Sequence, residues 1–254
     1  MTANRKERIR ALLKGIETGD PASVAVVNEG SYIQHNPQTH EGSEGLAELF
    51  KRLSKSAPRV NIVRIFEDGD YVFGHTEYDF ATSNIGFEIF RFEGDQAVEH
   101  WDNIQRRQGP NPSGHGMVDG PTEATDHAHT ESNRERVRSF VDEILIGREL
   151  EKLDRYIDSE RYAEHNPRIA DGLPALRSAL EAVSERGVTI KYDHLHRLLA
   201  EGSFVLAVSE GSFDGIHSAF YDLFRLDGDK LVEHWDTVEA IPPRAEWKND
   251  NGKF

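Results

Sequence analysis

Two short stretches hold most of the side chains able to do chemistry, and each occurs twice. "YIQHNP", Tyr32 to Pro37, returns as "YAEHNP", Tyr162 to Pro167, and "FRFEGDQAVEHWD", Phe90 to Asp102, returns as "FRLDGDKLVEHWD", Phe224 to Asp236. In an unbroken strand successive side chains alternate between faces, so Val98, His100 and Asp102 point one way and Glu99, Trp101 and Asn103 the other. A histidine and a carboxylate thus share a face, as do His234 and Asp236. Such a pair suits general acid/base work, because an apolar pocket raises a carboxyl pKa toward neutrality and a nearby imidazole tunes it. His35, Asn36, His165 and Asn166, with the phenols of Tyr32 and Tyr162 close by, are candidate donors to a carbonyl or enolate oxygen. Against this stands a plain structural role, in which Asn-Pro shapes a turn and a buried histidine packs.

Other titratable residues are weaker candidates. His75, Glu77 and Asp79 alternate along one segment; His75 is expected to bind ligand in the first pocket, whereas Glu77, Asp79, Glu88 and Asp222 suit solvated or interface positions. Aligning the copies through Gly69 and Gly202 sets Val208 where the first has His75, so the two pockets are expected to differ. His194 and His196 share a strand face but have no matching third ligand in the first copy. His115, His127 and His129 lie in a stretch rich in Gly, Pro, Ser and Thr. The absence of cysteine excludes disulfides, thiolate nucleophiles and Cys-based zinc sites, and these histidines are not expected to form a metal site.

The elements that must position these residues follow from the repeat. Its two offsets, 130 and 134 residues, are close to the length of a small domain, so each copy can bury its own core. The boundaries read as a first domain over 1–108, a linker over 109–131, a second domain over 132–243 and a tail over 244–254. Ile9, Leu12, Leu13 and Ile16 recur at helical spacing, as do Val137, Phe140, Val141, Ile144 and Leu145. Asp20-Pro21 predicts the start of a short second helix, and Ser43 opens a third with Leu46, Leu49, Phe50 and Leu53 on one face. Leu176, Leu180 and Val183 match that face in the second copy. Alternating segments around Gly69 and Gly202 and the turns "EGDQ" and "DGDK" predict four strands per copy. Helices first and a mainly antiparallel sheet afterwards define an α+β domain.

The "YxxHNP" segment before the third helix and the closing "GDxxVEHWD" strand, each present twice, resemble the SnoaL-like polyketide cyclase group of the nuclear transport factor two-like superfamily. The resemblance covers both halves and omits the linker and the end of the chain. It implies two tandem cone-shaped domains, each a strongly curved sheet around helices with a pocket at the open end. It also implies an acid/base aspartate on the last strand, a role that falls by motif to Asp102 and Asp236 with His100 and His234 beside them. The implied chemistry is cofactor-free aldol-type cyclisation or proton abstraction on a small carbonyl compound. The alternative is a non-catalytic small-molecule-binding protein using the same pockets; an epoxide-opening hydrolase would need an Asp-Arg-Asp-like arrangement that the spacing does not supply.

Composition narrows the partners. With 37% hydrophobic residues and no apolar run near the ~20 residues that span a bilayer, no membrane partner is expected. The N-terminus lacks the apolar core of a secretory signal, which points to the cytoplasm. A formal charge of −15 disfavours nucleic acid and leaves a small neutral or weakly charged ligand. Trp101 and Trp235, on the face opposite the aspartates, suit sheet-to-sheet pairing of the halves as an intramolecular pseudo-dimer, with further homo-oligomerisation open.

Overall fold

In the computed structural model, residues 4–28, 30–80, 82–181 and 189–254 are described. Among them the chain divides into two compact units, one of residues up to Arg106 together with Ile241–Phe254, the other Arg107–Ala240. Residues 109–131 fall in the second of these units and residues 244–254 in the first. Asn111 Nδ2 donates to the carbonyls of Glu164 (2.7 Å) and Ile169 (2.9 Å) in the second unit. Asn249 Nδ2 donates to those of Asn36 (2.7 Å) and Thr39 (3.0 Å) in the first. Asparagine fixes these segments because one carboxamide supplies two donors and a turn-forming acceptor.

The first unit opens with helix α1, Arg5–Thr18, capped by Asn4 and ended by Gly19 in the left-handed region at φ 66°. Its Ile9, Leu12, Leu13 and Ile16 are buried, as their spacing requires. Asp20 caps Pro21–Val26, a 3-10 turn instead of a second α-helix. Helix α2, Gly42–Leu53, has Glu41 at its N-cap position, so it opens one residue before Ser43, and it buries Leu46 and Phe50. In the second unit α3, Thr130–Phe140, runs on into a π-helical stretch, Val141–Ile146, so the apolar stripe keeps facing the core. A 3-10 turn, Leu150–Arg155, follows, then α4, Leu173–Glu181, with Leu176 buried and Leu180 packed against the core. Val183 lies outside the described residues.

Each unit carries one five-stranded sheet. The first contains β1 (Ile33–Gln34), β2 (Arg59–Asp68), β3 (Tyr71–Asp79), β4 (Ser83–Glu93) and β5 (Gln96–Arg106), in the order β1-β5-β4-β3-β2. The second contains β6 (Ala163–Glu164), β7 (Ile190–Glu201), β8 (Phe204–Phe213), β9 (Ile216–Asp227) and β10 (Lys230–Ala240), in the order β6-β10-β9-β8-β7. The four long strands of each sheet are antiparallel, and the two-residue strand from the "HNP" segment pairs parallel to the last, Gln34 beside His100 and Glu164 beside His234. That short pairing delivers the first motif to the second. Bulges interrupt the ladders between β2 and β3 and between β7 and β8 and bend the strands, so the sheets are curved without closing. The fold is α+β in both halves, as expected. Among the described residues no helix is long and apolar enough to cross a membrane.

Candidate functional site

Antiparallel register sets the floor of each site. Phe90 lies opposite His100 and Glu88 opposite Asp102, while Phe224 lies opposite His234 and Asp222 opposite Asp236. Side chains at the same height share a face, so each last-strand histidine and aspartate meets a second carboxylate from the neighbouring strand. In both units this face looks onto a cavity under the helices. The first cavity is about 230 Å³, walled by Leu12, Leu46, Phe50 and Phe90, with Asn36, Tyr78, Glu88, His100 and Asp102 at its polar end. The second is about 640 Å³, walled by Phe140, Leu176, Phe220 and Phe224, with Tyr162, Asn166, Tyr192, Asp222, His234 and Asp236 at its polar end.

In the second unit the polar end is a chain of short contacts. Asn166 Nδ2 donates to Asp236 Oδ2 at 2.6 Å. His234 holds Glu164 Oε1 on Nδ1 (2.9 Å) and Asp222 Oδ1 on Nε2 (3.0 Å). The Tyr162 hydroxyl donates to Glu164 Oε2 (2.9 Å) and that of Tyr192 to Asp222 Oδ1 (3.2 Å). Burial works against a charged His234, yet Glu164 and Asp222 outweigh it and raise its pKa well above the ordinary value. Asp236 is pushed up to about 7, first by burial and then by Glu164 and Asp222, with His234 and Asn166 opposing. Its Oδ1 is buried and has no hydrogen-bond partner among the described residues. Burial, reinforced by the same carboxylates, lifts both phenols, so Tyr162 and Tyr192 stay protonated donors.

The first unit repeats the plan with different charges. Asn36 Nδ2 donates to Asp102 Oδ2 at 2.6 Å, and His100 spans Gln34 Oε1 on Nδ1 (3.0 Å) and Glu88 Oε2 on Nε2 (2.8 Å). Tyr78 donates to Glu88 Oε1 at 2.7 Å. Gln34 stands where the second unit has Glu164. Lys253 Nζ donates to the Asp102 carbonyl (2.8 Å) and lies 3.5 Å from Asp102 Oδ1. Donor atoms of Glu88, His100 and Asp102 lie within 4.8 Å of one another, a spacing that a cation could bridge. His100 Nε2 is already hydrogen-bonded to Glu88 and the Lys253 ammonium lies beside Asp102, which makes the trio a poor donor set for a metal.

Several expected site residues lie elsewhere. His35 and His165 are on the outer face, stacked on Trp101 (centroids 4.6 Å apart) and Trp235 (4.7 Å). His35 joins Glu99 Oε1 (2.9 Å) to the Gly252 carbonyl (3.0 Å), and His165 joins Glu233 Oε1 (2.9 Å) to the Gly116 carbonyl (2.7 Å). The residues of "HNP" divide between faces: the asparagine enters the cavity and the histidine staples a segment to the back of the sheet. His75, expected to bind ligand, is buried on the outer face beside Arg64 (3.0 Å) and against Phe87, and does not line the cavity. Tyr32 is buried and stacks on His100 at 6.5 Å. Trp101 and Trp235 are buried, Trp235 donating to the Asp119 carbonyl at 2.9 Å.

Sequence reasoning missed Gln34, Glu164, Tyr78, Tyr192 and Lys253, and set Glu88 and Asp222 at solvated or interface positions although both are buried and line the cavities. The signal for Glu88 and Asp222 was available: counting back from the turns "EGDQ" and "DGDK" pairs each with the catalytic-candidate aspartate.

No family model matches the chain, and no curated protein matches it. Solved structures similar to it include TsrD from Streptomyces laurentii (18% identity, 39% of this chain and 86% of that one, TM-score 0.35). An NTF2-like protein of unknown function from Cytophaga hutchinsonii is 13% identical over 41% of this chain and 93% of its own, with TM-score 0.36. An LEH-like epoxide hydrolase from M. tuberculosis is 18% identical over 41% and 84%, with TM-score 0.35. Each covers about two-fifths of this chain.

Proposed function

We propose that the second unit carries out cofactor-free proton transfer on a small carbonyl compound, with Asp236 as the acid/base. The observation that carries this reading is the Asp236 carboxyl itself: buried at the polar end of an apolar cavity, with Oδ1 unpartnered among the described residues and a pKa of about 7. Both its protonation states are populated at neutral pH, the condition under which one carboxyl can take and return a proton. Ionised Asp236 removes a proton from the carbon next to the carbonyl, and the electron pair of that C–H bond moves onto the carbonyl oxygen. The carboxylic acid so formed returns the proton to the same carbon or to a conjugated one, so no co-reactant is consumed. Asn166 fixes Oδ2 and leaves Oδ1 without a hydrogen-bond partner among the described residues, while the charged His234 offsets part of the negative field of Glu164 and Asp222.

Hydrogen–deuterium exchange at the α-carbons of 2-tetralone in D2O, followed by NMR, tests this. The wild type should accelerate exchange and D236N should lose about 10²- to 10⁴-fold of the acceleration. Exchange unaffected by D236N and by D102N would sink the reading, and 2-tetralone retained without exchange would favour the binding-module alternative. Pairing of the halves within one chain and a cytoplasmic setting belong to the same proposal. The first unit includes the chain that follows the second unit's last strand, which supports joint folding. Separately expressed halves should then be unstable or re-associate.

A further inference from the structure

The two sites differ in one residue that the C-terminal segment supplies. Gly252 O meets His35 Nδ1 as Gly116 O meets His165 Nδ1, and Asn249 anchors the first "HNP" segment as Asn111 anchors the second. The residues after those glycines, Lys253 and Met117, are both buried. Packing alone asks for nothing more than the methionine. A buried ammonium costs several kcal/mol unless it is paired, so a lysine here needs its counter-charge. Asp102 supplies it, through its carbonyl at 2.8 Å and its Oδ1 at 3.5 Å. Lys253 does not line the cavity and reaches it through Asp102.

The charge inventories then diverge. Around His100 stand two carboxylates, Glu88 and Asp102, with Lys253 and the neutral Gln34. Around His234 stand three carboxyl groups, Glu164, Asp222 and Asp236. An ion-paired carboxylate only accepts hydrogen bonds, whereas a carboxyl that retains a proton donates one. We propose that Lys253 is a positioning residue that makes the first cavity an acceptor site, selective for small one- or two-ring compounds that present a hydroxyl group. It concerns the first cavity alone and goes beyond the proton-transfer reading of the second. The smaller volume and apolar walls of Leu12, Leu46 and Phe50 fit a compact hydrophobic body with one polar end.

Two probes of similar shape test this on the full-length protein: 2-naphthol, which donates a hydrogen bond, and 2-acetonaphthone, which only accepts. Binding is followed by fluorescence, and occupancy of the first cavity by shifts of the Asn36 side-chain amide in NMR spectra. The wild type should prefer 2-naphthol at Asn36 by about tenfold. Lys253→Met should bring that preference to within about twofold and Lys253→Arg should retain it, with circular dichroism confirming the fold. If Lys253→Met does not fold, Gln34→Glu adds a third carboxylate and should likewise erode the preference. Preference unchanged in Lys253→Met or in Gln34→Glu, or 2-naphthol shifting only Asn166, would overturn the proposal. Exchange of 2-tetralone by Asp236 is read separately, so failure of one does not imply failure of the other.

Discussion

Asn166 donates its carboxamide to Asp236 at 2.6 Å, and Asn36 does the same to Asp102 at 2.6 Å. The two members of each pair come from elements about 70 residues apart in sequence, joined by a two-residue parallel strand. One carboxylate oxygen is thereby fixed while the other is left to its surroundings, and it is the surroundings that the duplication has varied. In the second unit they are acidic and buried, and in the first they include an ammonium.

A carboxyl titrating near pH 7 should therefore be visible in the second unit. Carbon-detected NMR of aspartate carboxyls should show one midpoint near neutrality, absent from D236N. The sign for stability follows from linkage. Asp236 has its folded pKa raised above the unfolded value, so the folded state binds the extra proton and stability falls as pH rises from about 4 to about 7. His234, also raised, contributes stability that is fully present below pH ~6.5 and lost as pH rises through its folded pKa. Glu164, Asp222, Asn166, Tyr162 and Tyr192 face this pair. Denaturant midpoints should thus decline from pH 5 to pH 8, and D236N should flatten the decline.

Glu164→Gln makes the second floor resemble the first, where Gln34 holds the matching place. Glu164 is the leading influence holding His234 protonated and one of the influences raising Asp236. The substitution should move both midpoints to lower pH and shift the acidic limb of any 2-tetralone exchange profile with them. An unchanged Asp236 midpoint would show that burial alone sets it.

The architecture was legible because its signals are periodic. Ile9, Leu12, Leu13 and Ile16 mark a helix by spacing alone, and strand alternation correctly put His100 with Asp102 and His234 with Asp236 on one face. His35 and Asn36 were harder, since adjacent residues outside a long strand carry no parity signal, and only the structure shows that one faces Trp101 and the other Asp102. His75 misled because its place in the segment does not say which face it takes, and its strand pairing with Phe87 sets it behind the sheet. Lys253 could not be found from the sequence: it lies 151 residues from Asp102, in a segment without periodicity.

The two motif tyrosines should respond in opposite ways to loss of the hydroxyl. Tyr162 donates to the buried Glu164, so Tyr162→Phe leaves a carboxylate oxygen short of a partner and should cost about 1–3 kcal/mol. The Tyr32 hydroxyl is buried without a hydrogen-bond partner among the described residues, and Gln34 replaces the acceptor. Tyr32→Phe should be neutral or slightly stabilising. Chemical denaturation of both variants checks the contrast.

His165 provides the sharpest separation between holding the fold and serving the site. Its ring lies on Trp235, bridges Glu233 to the Gly116 carbonyl and stays out of the cavity. Although burial pushes Glu233 up, hydrogen bonds from His165 and Arg225 outweigh it and hold its pKa below the ordinary value. His165→Ala removes one of the two and uncovers the indole. We expect a loss of about 2–4 kcal/mol, by analogy with other broken buried pairs. A depressed carboxylate contributes stability that is present above its unfolded pKa and lost as pH falls, so the deficit should be largest at neutral pH and shrink below pH ~4.5. The neutral-range titration of Asp236 should remain, because Asn166, Glu164 and Asp222 are untouched. If His165→Ala instead abolished 2-tetralone exchange while leaving stability intact, the histidine would belong to the site after all.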